Sequence, residues 1–76
     1  MVGIKLKRYI AVIVSNYGTA QEATRDNAEF LVADDDKAVQ EAQDWIPRSG
    51  KAQDGDFLIV RENGRSVKGI KLKKVP

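Results

Sequence analysis

Between Asp34 and Ile46 the apolar residues fall on one helical stripe, and that stripe constrains the whole chain. Ala38, Val39, Ala42, Trp45 and Ile46 recur at the spacing of a single helix face, while Lys37, Gln40, Glu41 and Asp44 take the other. Asp34-Asp35-Asp36 marks the start, because a short carboxylate accepts from the orphan N–H groups of a first turn and negative charge suits that end. Pro47 marks the expected stop at Ile46, with Ser49-Gly50 turning the chain afterwards. A one-sided helix must bury its stripe against something. The segments on either side read as strands, so the helix is expected to lie across a sheet.

Ile4 to Ser15 reads as the first strand. Lys5 and Lys7 alternate with Ile4 and Leu6, and Tyr9 to Val14 is then apolar on both faces. Ser15 to Thr19 is a turn by composition, and Ala28 to Ala33 is a short strand with Phe30 and Val32 on one face. The polar stretch from Ala20 to Asn27 fits a hairpin arm and a loop equally. After the helix, Arg48 to Gly55 is a loop and Phe57 to Val60 a strand. Asn63-Gly64 then predicts a two-residue type I′ hairpin turn. That register sets Val60 opposite Val67 and Phe57 opposite Ile70, which leaves Val67 and Ile70 on different faces. A bulge at Lys68-Gly69 would restore the phase.

The expected fold class is α+β: one amphipathic helix on a mostly antiparallel sheet of three to four strands, in the order β-β-α-β-β or with one further short strand before the helix. It forms a single small domain over residues 1–76. The layout resembles that of small bacterial α+β proteins through Arg8-Tyr9, Asp34-Asp35-Asp36 before Ala38-Val39, and Glu62-Asn63-Gly64-Arg65. That resemblance points to no single family. Trp45 is the expected anchor between helix and sheet.

Several chemistries are closed to this chain. It has no cysteine, which removes disulfides and thiolate metal sites, and no histidine, the side chain best suited to proton transfer near neutral pH. The first twenty residues imitate a signal peptide, but the apolar run is short and β-branched, as a strand would be. No run approaches the roughly 20 apolar residues of a membrane span. A cytoplasmic location is the expectation. Ser15, Ser49 and Ser66 have no histidine to activate them, and the carboxylates Asp34, Asp36, Asp54 and Asp56 leave a small hydrolase as a minor alternative. The two acidic clusters lack the calcium-loop pattern and read as a helix cap and a turn. No cofactor, metal or small-molecule ligand is expected.

Gly3-Ile4-Lys5-Leu6-Lys7 recurs unchanged as Gly69-Ile70-Lys71-Leu72-Lys73. Alternation separates the lysines from the apolar residues in each copy. If the two strands lie close, Lys5, Lys7, Lys71 and Lys73 form a basic strip on the face away from the helix, with Tyr9 in phase as a stacking residue. Edge lysines that discourage aggregation account for the same pattern. Charge is also polarised, +3 over residues 1–16, −5 over 17–36, −1 over 37–56 and +5 over 57–76. The function expected from these features is a non-catalytic interaction module that meets another protein or a second copy of itself. A small nucleic-acid-binding domain using the basic strip is the alternative.

Overall fold

The computed structural model describes residues 5–73. Its elements follow the order β-β-α-β-β: β1 (Lys7–Ser15), β2 (Ala23–Val32), α1 (Asp35–Ser49), β3 (Phe57–Glu62) and β4 (Arg65–Lys71). The strands form one antiparallel sheet in the order β2-β1-β3-β4, and α1 packs on one face of it. The α+β expectation holds, with four strands. Gly3 and Ile4 of the first repeat copy lie outside the described residues.

Asn16 (φ 52°) and Gly18 (φ 81°) turn the chain from β1 into β2. Of the stretch 20–27, residues 23–27 supply the first half of β2, and 20–22 stay in the turn before it. Asp34 caps the helix in extended conformation and its Oδ1 accepts the Lys37 N–H at 2.9 Å. The helix continues past the expected stop at Ile46. In a last turn, proline forfeits one backbone hydrogen bond, so Pro47 is accommodated and the left-handed Gly50 (φ 70°) ends the helix. Ser49 Oγ, donating to Asp26 Oδ2 at 2.6 Å, fastens that added turn to β2.

Asn63 and Gly64 both have positive φ, as a type I′ turn requires. The bulge falls slightly earlier than expected: Lys68 opposes Val60 and Ser66 opposes Arg61, leaving Val67 as the extra residue. Phe57 therefore faces Lys71 and Leu58 faces Ile70. Its predicted consequence is met, since Val67 and Ile70 both pack against the helix-side core. That core comprises Tyr9, Ala11, Ile13, Leu58 and Val60 from the sheet with Ala38, Ala42, Trp45 and Ile46 from the helix.

One face assignment is corrected. Tyr9 is fully buried beneath the helix, not exposed on the far side. It does share its phase with Lys7, so Lys7 belongs to the helix side too. Leu6, on the opposite phase, is 55% exposed; the core is set by Ala11 and Ile13, which cluster with Ala38 and Ala42.

Candidate interaction surface

Antiparallel pairing fixes what the other side of the sheet presents. Ile10 stands between Glu29 and Arg61, Val12 between Asn27 and Ile59, and Val14 beside Phe57. Leu31 lies beside Arg8, and β4 adds Gly69 and Lys71 at the other edge. No described element covers this side. Val14 and Ile59 are nearly shielded by their neighbours in the sheet, whereas Ile10 and Leu31 stand well exposed. Tyr17, from the β1–β2 turn and 48% exposed, stacks on Phe57 with ring centroids 4.8 Å apart. The result is an apolar strip along β1 and β3 with an aromatic pair at one end.

Charge around the strip is mainly positive. Arg8 Nε sits 3.0 Å from Glu29 Oε2, an exposed pair of small energetic weight. Arg61 and Lys71 have no ion-pair partner among the described residues. A shallow groove of about 560 Å³ runs along Arg8, Ile10, Val12 and Arg61 to the Asn63-Gly64 turn.

The structure does not bring the four lysines together. Lys7 is level with Val32, at the end of the sheet where Tyr9 meets Glu62, and on the helix side. Lys71 is level with Phe57 and Val14, at the opposite end and on the uncovered side. Seven residues of strand separate those levels, about 23 Å, and β3 stands between the strands. The expected strip of Lys5, Lys7, Lys71 and Lys73 is therefore withdrawn. Two strands running antiparallel to their shared neighbour run parallel to each other, yet Lys7 of the N-terminal copy is the first residue of β1 whereas Lys71 of the C-terminal copy is the last of β4. Repeat identity therefore does not imply a shared level. Arg8, Arg61, Ile10 and Phe57 are not legible as a surface in the sequence, because the apolar run Tyr9–Val14 reads like a strand covered on both faces.

Tyr9 instead joins a polar clasp on the helix side. Its hydroxyl donates to Asp35 Oδ1 at 2.7 Å. Arg65, from the start of β4, donates to both oxygens of the same carboxylate, at 3.2 and 2.9 Å, and also reaches Glu62. The clasp joins the first turn of the helix to β1 and to the β3–β4 hairpin. Burial, then the bond to Asp35, pushes the Tyr9 phenol up to about 12. The Arg65 guanidinium and then the Tyr9 hydroxyl hold Asp35 below the usual carboxylate range. Asp26 is lowered as well, first by Ser49 Oγ and then by the Asn27 N–H. The acidic triplet is thereby divided: Asp34 caps the helix and Asp35 is held by arginine and tyrosine. Among the described residues no group of three carboxylates is placed to share a cation.

These shifts predict a pH profile. A lowered carboxylate stabilises the fold above its unfolded value of about 3.9, and that contribution fades as the pH falls through the folded value. Tyr9 acts in the opposite sense. Its contribution is complete below about pH 10 and is lost as the pH climbs towards about 12. Thermal melts should therefore hold level through neutral pH, as far as these groups are concerned, and drop at both extremes. Asp35→Asn should lower the neutral melting point and flatten the acid limb. An Asp35→Asn profile that overlays the parent's at every pH would show that the clasp contributes nothing.

The chain matches no protein-family model, no curated protein and no solved structure. Among the described residues no helix is long and apolar enough to cross a membrane.

Proposed function

We propose that this domain is a non-catalytic protein-interaction module whose working surface is the uncovered sheet face. One observation carries the reading: Ile10, Leu31 and Tyr17, three of the four exposed large apolar side chains among the described residues, gather on that one side. Scattered apolar residues need no explanation, but an apolar group backed by a strand that is hydrophobic on both faces suits a surface meant to be covered. Arg61 and Lys71, without ion-pair partners among the described residues, favour a protein whose apolar patch is edged with acidic side chains. The use of Asp34 as the helix cap, the ion pairing of Asp56 with Arg25 and the lack of histidine support a binding role over catalysis. The cysteine-free composition fits the cytoplasm.

The Tyr17–Phe57 stack beside Lys71 supports a second reading, single-stranded nucleic acid laid along the same face. Both readings are tested by amide NMR titrations of the labelled domain. One titration uses a peptide alternating glutamate and leucine, the other a mixed-sequence single-stranded oligonucleotide at low and moderate salt. The protein reading expects peptide-induced shifts from Arg8 to Val14 and Phe57 to Arg61 that Ile10→Glu abolishes. Steeply salt-sensitive oligonucleotide shifts on that face, with none from the peptide, would replace it by the second reading. Silence in both titrations would remove the face from consideration.

A further inference from the structure

The two edges of the sheet are built differently. β4 carries Arg65, Lys68 and Lys71 and a bulge at Val67, the charges and irregularity that keep an edge from pairing. β2 from Asn27 to Val32 has none of these guards. It contains no lysine, arginine or proline, its bulge lies before this stretch at Arg25, and its one charge, Glu29, is matched by Arg8 on the neighbouring strand. Leu31 on this edge is 61% exposed, and Phe30 is half-buried against Trp45. The unguarded edge is also the more apolar one.

The backbone there has a definite parity. Asp26 Oδ1 accepts the Asn27 N–H at 2.9 Å, so that amide points away from β1. Alternation then makes Glu29 and Leu31 the next residues whose N–H and C=O face outward. An incoming antiparallel strand must satisfy those two pairs of groups, and β2 of another molecule offers the same spacing.

We infer that a second copy of this chain pairs there, β2 against β2 about a two-fold axis at Phe30, with Glu29 opposite Leu31 of the second copy. The parity and the charges select this register. Centring the axis on Glu29 would place two like charges face to face. Centring it on Leu31 would run the ladder off the end of β2 at Val32. With the axis at Phe30, both outward residues find hydrogen-bonding counterparts. Phe30 meets Phe30 of the second copy, and Ala28 meets Val32, on the helix side where all three are half-buried. The product is a continuous eight-stranded sheet with both helices on one side and both uncovered faces on the other. It stands whichever occupant those faces take.

Sedimentation velocity on the whole 76-residue chain, from micromolar to millimolar concentration, tests the pairing. The parent mass should rise from 8.4 kDa towards twice that value. Leu31→Glu, which sets glutamate against Glu29 of the second copy at two symmetric places, should weaken the dimer about tenfold or more. Leu31→Lys sets an opposite charge there and should keep it. Lys68→Glu, on the far edge strand β4, should leave it alone. Amide exchange at Glu29 and Leu31 should slow as the parent concentration rises. A parent that stays at 8.4 kDa, a Leu31→Glu chain that dimerises like the parent, a Leu31→Lys chain that dissociates like Leu31→Glu, or loss of the dimer on Lys68→Glu would each overturn the inference.

Discussion

Replacing Trp45 by alanine is expected to leave the domain at or past the edge of unfolding. The indole is 9% exposed and meets Phe30 edge-on at 6.3 Å and 72°. Three members of its core cluster, Ala11, Ala38 and Ala42, are small and offer little side chain to fill the space it leaves. Truncation of a buried tryptophan costs about 3–5 kcal/mol when the cavity does not collapse. A chain of this length is stable by roughly 4–11 kcal/mol, at 0.05–0.15 kcal/mol per residue. The loss is therefore a large part of the total. Trp45→Phe should retain much of it, since a smaller aromatic keeps apolar contact with Phe30. Far-ultraviolet circular dichroism melts decide the matter. If Trp45→Ala melts within a few degrees of the parent, α1 is not anchored to the sheet through this residue.

Trp45 also illustrates what the sequence makes legible. Helix α1, its cap at Asp34, the Asn63-Gly64 turn and the bulge in β4 are local devices, each written in a few adjacent residues. Period and turn chemistry suffice to find them. The face of β1 is a different matter. Because Tyr9 to Val14 is apolar at every position, alternation separates two sets but does not say which one the helix covers. The decision rests on volume: Tyr9, Ala11 and Ile13 fit under a helix carrying Ala38 and Ala42. That fit joins residues roughly 30 apart and no local rule contains it. The same ambiguity hid the candidate surface, since Ile10 and Val12 looked like core. The repeat misled for a related reason. Identical pentapeptides share a phase, but strand order and ladder position decide whether they meet, and β3 with its register keeps Lys7 and Lys71 at opposite ends.

The surface and the edge bear on each other through strand order. β1, the most apolar strand, is central beside β3, so the strip it forms with β3 is flanked by β2 and β4. A second copy joined at β2 would bring a second strip alongside, with Leu31 from each molecule near the seam. A module that works through one sheet face gains contact area by pairing at the unguarded edge, and the guarded β4 edge limits growth to two copies. Closure at two is what a two-fold pairing predicts, in contrast to open-ended strand addition.

Asp56 should prove nearly as sensitive as Trp45, and for a reason that composition conceals. In the sequence it belongs to Asp54-Gly55-Asp56, a turn with a spare carboxylate. In the fold its side chain is 4% exposed and its Oδ2 lies 2.6 Å from Arg25 Nε. The same oxygen accepts the Gln53 N–H at 2.9 Å, and its backbone exchanges hydrogen bonds with Gln53 and Leu72. Arg25 reaches it because the β2 bulge leaves Arg25 without a partner in β1, between Thr24 opposite Val14 and Asp26 opposite Ile13. Removing one member of a fully buried pair costs about 3–5 kcal/mol, since the other charge is left without compensation. The Arg25 side chain keeps 31% exposure and recovers some hydration, so about 2–3 kcal/mol is the expectation for Asp56→Ala. Asp56→Asn should fall between that variant and the parent, keeping the acceptor for Gln53 while losing the charge. The informative comparison is a double-mutant cycle read by urea unfolding. Arg25→Met with Asp56→Leu should cost less than the sum of the two single changes, because the pair's desolvation disappears along with its attraction. Strict additivity, or an Asp56→Ala loss below about 0.5 kcal/mol, would mean that the bulge places Arg25 there without any return in stability.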